Sequence, residues 1–303
     1  MLPSVDFGFV CSLGAAGADQ AATLVDDNRR FLRALAPPFT TFWMEDHFQF
    51  GERPLLECWT ALCTYGAEFP NLRLGTIVMG QSYRNPAMLA KMGAVLQWMT
   101  GGRLIFGIGA GWKEDEYRAY GYPYPPPAVR IAQLDEAIQI TRKMWTEMPA
   151  TFHGKHYSID NAICSPLPNP VPPILIGGGG EQLTMRVVAK HADWWNVGFR
   201  TVDEYARKVD VLRDHCNRVG RDLSQIKLTS YARVSVSKNP VPPPANPRMH
   251  VLAGTPEQVA AEIQAFIDLG VRHFMIGFND FPRLDGLELF QNEVIPLLNL
   301  DRR

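Results

Sequence analysis

Thr41-Phe-Trp-Met-Glu-Asp-His-Phe48 places two acids and an imidazole directly behind an apolar, strand-like run. Histidine changes charge near neutral pH, and a neighbouring carboxylate can orient it and tune its pKa. His47 could therefore move a proton or stabilise developing charge. The same residues could also make a solvated turn with Asp46 as a helix cap. Two glycine clusters offer a second kind of chemistry. Gly107-Ile-Gly-Ala-Gly111 has G-x-G-x-G spacing, a weak match to a dinucleotide fingerprint. It reads either as a tight turn or as bare backbone against which a flat cofactor can lie. Gly177, Gly178, Gly179 and Gly180 stand between a buried run and a helix start. That arrangement exposes N–H groups at a positive helix end, which suits a phosphate.

The elements that position these residues follow one rhythm. Strand-like runs are expected at residues 5–10, 39–44, 72–79, 103–108, 172–176, 193–197, 226–236 and 273–278, each followed by a helix-like run. Pro86 opens the third helix and Pro256 the seventh, with Thr255 as N-cap and Gly270 just past the end. Strands alternating with helices imply a parallel sheet. Eight units in one uninterrupted series favour a closed (β/α)8 TIM barrel over an open doubly wound sheet, as a single domain over residues 1–303. Two small insertions interrupt it: a hairpin at residues 151–159 after helix four, and a proline-rich loop at residues 239–247 after strand seven. The candidate residues fall at the C-terminal ends of the strands, where barrel enzymes build their active sites.

Composition limits the alternatives. Lys plus Arg is 30 and Asp plus Glu is 31, so no strong field for nucleic acid or an anionic membrane is expected. The five cysteines form no C-x-x-C pair and read as free thiols in a reducing cytoplasm. The N-terminus does not read as a signal peptide, and no apolar run approaches the length of a membrane span. No H-E-x-x-H, Cys/His cluster or G-x-S-x-G elbow is present, so neither a metal site nor a serine nucleophile is expected.

Several segments, in order, resemble the bacterial luciferase-like flavin and deazaflavin oxidoreductases. They are Trp43-Met-Glu-Asp-His-Phe48, Leu74-Gly-Thr-Ile-Val78, Tyr83-Arg-Asn-Pro-Ala-Met-Leu-Ala-Lys91, Gly101-Gly-Arg-Leu-Ile-Phe-Gly-Ile-Gly-Ala-Gly-Trp112 and Pro173-Ile-Leu-Ile-Gly-Gly-Gly-Gly180. The likeness is greatest to the subgroup that uses the deazaflavin coenzyme F420. The resemblance implies His47 beside the reactive ring face and Asp46 contacting the ring. It also implies a bulge or non-prolyl cis peptide at Thr76-Ile77. Ala110 and Gly111, with Gly177 to Gly180, would hold the ribityl and phosphate part. Sugar-phosphate dehydrogenases of the family carry an acid where this chain has Trp112, which argues against a sugar phosphate. Trp43, Tyr83 and Trp112 suggest instead an apolar or aromatic small-molecule substrate. The expected function is hydride transfer between F420 and an organic substrate, in a homodimer. An FMN-dependent monooxygenase and a non-catalytic flavin-binding relative are the alternatives.

Overall fold

The computed structural model describes residues 5–239 and 249–300. Eight parallel strands close on themselves: β1 (Asp6–Val10), β2 (Phe39–Met44), β3 (Arg73–Thr76), β4 (Leu104–Gly109), β5 (Ile174–Gly177), β6 (Trp194–Gly198), β7 (Lys227–Val236) and β8 (Val271–Phe278). β8 pairs with both β1 and β7, so the expected barrel is closed. The outer ring holds α1 (Ala18–Ala34), α2 (Cys58–Glu68), α3 (Pro86–Met99), α4 (Pro127–Thr146), α5 (Thr184–His191), α6 (Val202–Arg218) and α7 (Pro256–Asp268). Local chemistry sets their ends. Asn85 caps α3 by accepting from the N–H groups of Ala87 and Met88, ahead of Pro86. Thr255 and Gln258 form a reciprocal capping box at α7.

The hairpin after α4 is present as antiparallel strands Ala150–His153 and Ser158–Ala162. The proline-rich loop lies outside the described residues, apart from Asn239. A short strand, Val251–Gly254, then pairs with β7. Two expectations need correction. Strand three does not run unbroken to residue 79: β3 stops at Thr76, and pairing resumes only at Met79–Gly80. Ile77 N–H donates to the Met44 carbonyl at 2.8 Å, while the Thr76 hydroxyl takes both the N–H and the C=O of Gly107. The first bond continues the β2 ladder past the Met44–Thr76 pair, and the hydroxyl bonds stand in for the backbone ladder to β4. A non-prolyl cis peptide joins Ile77 and Val78, one residue beyond the expected place. A short helix, Glu114–Ala119, also follows β4, where the sequence suggested no element.

Side-chain alternation divides the apolar residues between two cores. A large one fills the space between strands and helices. A small one, with Val10, Trp43, Ile77, Ile105, Leu175, Trp194, Tyr231 and Met275, fills the barrel interior. Beneath it, at the N-terminal ends, lies a buried polar chain. Trp43 Nε1–H donates to His273 Nε2 at 3.0 Å, and His273 Nδ1 lies 2.6 Å from Asp6. An indole can only donate, so His273 Nε2 accepts and the proton sits on Nδ1. His273 is thus neutral, in keeping with burial pushing its pKa down. Burial would raise the Asp6 pKa, but hydrogen bonds from His273 and Thr40 and the charge of Lys227, 3.2 Å away, hold it well below the usual range.

A depressed carboxylate contributes stability that is present above the unfolded value of about 3.9 and lost as pH falls through the lower folded value. Asp6→Asn leaves Lys227 without its counter-ion and should cost on the order of 3 kcal/mol at pH 7. Urea unfolding should show this, together with a flatter loss of stability below pH 4 than in the wild type. Equal stability at pH 7 would exclude Asp6 as an anchor of the barrel.

Candidate active site

Two strand ends and the helix after β4 meet at one buried carboxylate. Glu116 is wholly buried, yet every bond it makes comes from a donor. Its Oε1 accepts from the N–H groups of Phe48 at 2.9 Å and Gln49 at 3.1 Å. Its Oε2 accepts from the Tyr83 hydroxyl at 3.0 Å, and His47 Nδ1 lies 3.0 Å away. A buried anion needs such partners to offset lost hydration. Burial and the Glu116 charge push the Tyr83 pKa up, so its hydroxyl stays a donor. Glu116 thereby holds a proton of His47 on Nδ1. Among the described residues nothing bonds to His47 Nε2, and that atom is not buried. The imidazole is bordered by Phe50 at 4.7 Å and by the edge of Trp112 at 5.6 Å, between ring centroids. It can therefore offer Nε2 to a molecule at the mouth.

Asp46 points the other way. Arg84 grips both its oxygens, at 2.8 and 3.1 Å, and Gly80 N–H donates to it at 3.0 Å. The bidentate pair satisfies a buried carboxylate and leaves little of it for a cofactor ring. Asp46 and Arg84, which also bonds Glu57 at 2.6 Å, tie the β2 and β3 loops to α2. The expected aromatic wall separates likewise. Trp112 is 66% exposed beside His47. Trp43 is 0% exposed inside the barrel, held by His273, and Tyr83 is buried behind Glu116. Trp43 and Tyr83 are thus packing and positioning residues, because each has its polar atom committed inward. Thr76 is buried too, its hydroxyl spent on Gly107.

The glycines acquire separate reasons. A Cβ on Gly107 would stand 1.8 Å from the Thr76 carbonyl oxygen. On Gly109 or Gly177 it would stand 2.7 or 2.8 Å from Val78 methyls, so the Val78 side chain occupies a bay between β4 and β5. Gly111 has φ +73° and would meet the Tyr117 hydroxyl at 1.9 Å. Beyond β5, Gly178 has φ +137° and donates to the Asn196 carbonyl at 2.9 Å. The N–H groups of Gly179, Gly180 and Glu181 have no acceptor among the described residues, and Lys208 Nζ donates to the Gly179 carbonyl at 3.0 Å. No group of His, Cys, Asp or Glu among the described residues could hold a metal. Glu116, Arg84 and Val78 escaped sequence reasoning. The only signal for Glu116 was the acidic run Glu114-Asp-Glu116, and its partner His47 is 69 residues away.

Residues 5–242 match the luciferase-like monooxygenases. The chain belongs to that family. This luciferase-like protein is 26% identical over 298 residues to an F420-dependent glucose-6-phosphate dehydrogenase of Kineococcus radiotolerans, spanning 84% of this chain and 88% of that one. Among solved structures it resembles an F420-dependent secondary alcohol dehydrogenase in complex with an F420–acetone adduct. There the TM-score is 0.82 at 19% identity, over 97% of this chain and 99% of that one. It also resembles a monooxygenase from Streptomyces bottropensis, with TM-score 0.79 at 16% identity over 96% and 99%. The two structural likenesses show the shared barrel.

His47→Ala should lower turnover by about 10²–10⁴-fold with little change in melting temperature. Glu116→Gln should lower both. An amide NH2 would face donors, and an unsatisfied buried donor costs about 1–3 kcal/mol. A Glu116→Gln protein as stable and active as the wild type would remove Glu116 from its organising role.

Proposed function

We propose that this luciferase-like protein is an F420-dependent oxidoreductase acting on a small organic molecule at the C-terminal mouth of the barrel. The observation that carries this reading is His47, with Nδ1 fixed by Glu116 and Nε2 open to the mouth. The dehydrogenase relative from Kineococcus supports the choice of cofactor. The residues present fit such a group. Unpaired N–H groups at Gly179, Gly180 and Glu181 precede α5, where an anion is favoured and glycine permits close approach. Ile77 and Val78 supply an apolar bed. When bound, the deazaflavin gives or takes the hydride. His47 Nε2 holds or yields a proton beside it, and Trp112 and Phe50 shield that place from water and favour a flat, apolar substrate.

Titration of the purified protein with F420 and, separately, with FMN tests this reading. Tight F420 binding, seen by fluorescence, is the expected outcome; exclusive binding of FMN would mean a flavin monooxygenase. Gly179→Ala should weaken F420 much more than its dephosphorylated analogue. Equal losses would mean that the loop shapes the mouth without holding phosphate. A cytoplasmic homodimer belongs to the same proposal. Met88 and Met99, eleven residues apart on one face of α3, are exposed beside Trp98 and suit burial against a second copy. Light scattering that gives a monomer mass at micromolar concentration would contradict the dimer.

A further inference from the structure

The hairpin after α4 lies outside the ring of barrel strands, yet its tip is fastened twice. Glu136, on α4, accepts from three successive N–H groups of the turn: Lys155 at 2.8 Å, His156 at 2.8 Å and Tyr157 at 2.9 Å. The turn is moulded on that carboxylate, since a Cβ on Gly154 would collide with Glu136 Oε2. Three bonds to one charged acceptor hold the hairpin against its helix. The second fastening leads elsewhere. The hydroxyl of the half-buried Tyr157 donates to Gln81 Oε1 at 2.9 Å. Gln81 belongs to the segment after β3 that also carries Tyr83, a partner of Glu116.

Gln81 carries the contact inward. Its side chain is wholly buried. Its backbone N–H donates to the Gly109 carbonyl at the end of β4 at 3.0 Å. Its Nε2 donates to the Ser82 hydroxyl at 2.8 Å, with a longer bond of 3.4 Å to Gln133 of α4. The Ser82 hydroxyl lies 3.1 Å from the Tyr117 hydroxyl. Tyr117 is wholly buried, adjoins Glu116 in the helix after β4, and packs its ring on Tyr83 at 4.9 Å. That helix has six residues and no side-chain cap. A helix so short does not stand alone, and its place depends on what its side chains hold. Tyr117 is held from the hairpin side, through Ser82 and Gln81.

We propose that Tyr157 is a positioning residue for the active site. Its hydroxyl, acting through Gln81, Ser82 and Tyr117, holds the helix after β4 so that Glu116 keeps a proton on His47 Nδ1 and Nε2 toward the mouth. The hairpin is then a strut of the active site. A hairpin that only covered α4 would need no bond beyond Glu136. Without the Tyr157 hydroxyl, the buried Gln81 Oε1 has lost its donor. The amide then turns or draws in water, and the Ser82 bond goes with it. The inference concerns the histidine of the oxidoreductase reading given above and rests on that reading for its consequence in turnover. Its test needs neither cofactor nor substrate, so the two can fail separately.

Tyr157→Phe removes one hydroxyl and leaves the three bonds to Glu136 in place. Nitrogen NMR of histidine-labelled protein in alkaline solution reads the tautomer of His47, assigned by its loss in His47→Ala. The wild type should carry the proton on Nδ1, and Tyr157→Phe should show a mixture of Nδ1–H and Nε2–H forms. Hydrogen exchange at the Phe48 and Gln49 N–H groups, which Glu116 accepts, should quicken by about tenfold or more, the size expected when a buried acceptor loses its donor. Exchange at Lys155, His156 and Tyr157 should keep the wild-type rate. Ser82→Ala breaks the chain in its middle and should reproduce both changes. Ser158→Ala removes bonds to His153 and Phe152 within the hairpin and should reproduce neither. A Tyr157→Phe protein with the wild-type tautomer and wild-type exchange at Phe48 and Gln49 overturns the proposal. So does an equal effect of Ser158→Ala, which would make any loosening of the hairpin sufficient. A wild type with the proton on Nε2 overturns it as well. Failure of F420 to bind would leave these readings untouched and would overturn the oxidoreductase reading alone.

Discussion

The mouth of this barrel depends on satisfying one buried negative charge. Strand ends in a parallel barrel are held only to their immediate neighbours, and the loops beyond them have no ladder of their own. Glu116 supplies what the ladder cannot. A carboxylate out of water must collect donors, and those within reach belong to the loop after β2 and to the segment after β3. Meeting its demand orders three loops at once and leaves the imidazole of His47 with one defined face toward solvent. Asp46 repeats the device on the other side of the same loop, with Arg84 as donor. Two acids of opposite direction therefore hold the segment that carries the histidine.

The barrel was legible because its signals are local and repeated. Apolar runs, Pro86, Pro256, Thr255 and Gly270 each mark an element without reference to distant residues. The hairpin after α4 was equally visible from its turn. Strand three was misjudged where a tertiary bond intervened: nothing near residue 76 announces that the Thr76 hydroxyl takes the place of the backbone ladder at Gly107. The cis peptide, expected from the resemblance, stands one residue later, at Ile77-Val78.

The site was legible in part, for the same reason. His47 stands out by type and place. Its partner Glu116 sits in a short helix with no apolar period, and their pairing exists only in three dimensions. The aromatic residues show the limit of reasoning by type. Trp43, Tyr83 and Trp112 are alike on paper as wall residues, but strand alternation sends Trp43 inward and Glu116 captures Tyr83. For the glycine run at the end of β4, read either as a turn or as bare backbone, the space at Gly107 and Gly109 is taken by Thr76 and Val78.

The bay that holds Val78 makes three strand ends a single fitted unit. Its methyls fill the spaces left by the missing side chains of Gly109 on β4 and Gly177 on β5. None of the three positions is free to drift alone. A larger residue at either glycine requires a smaller one at 78, and a smaller one at 78 opens a void that only an alanine opposite would refill. Descendants of this sequence are therefore expected to change these positions together, so the depth of the mouth is inherited as a set and not residue by residue.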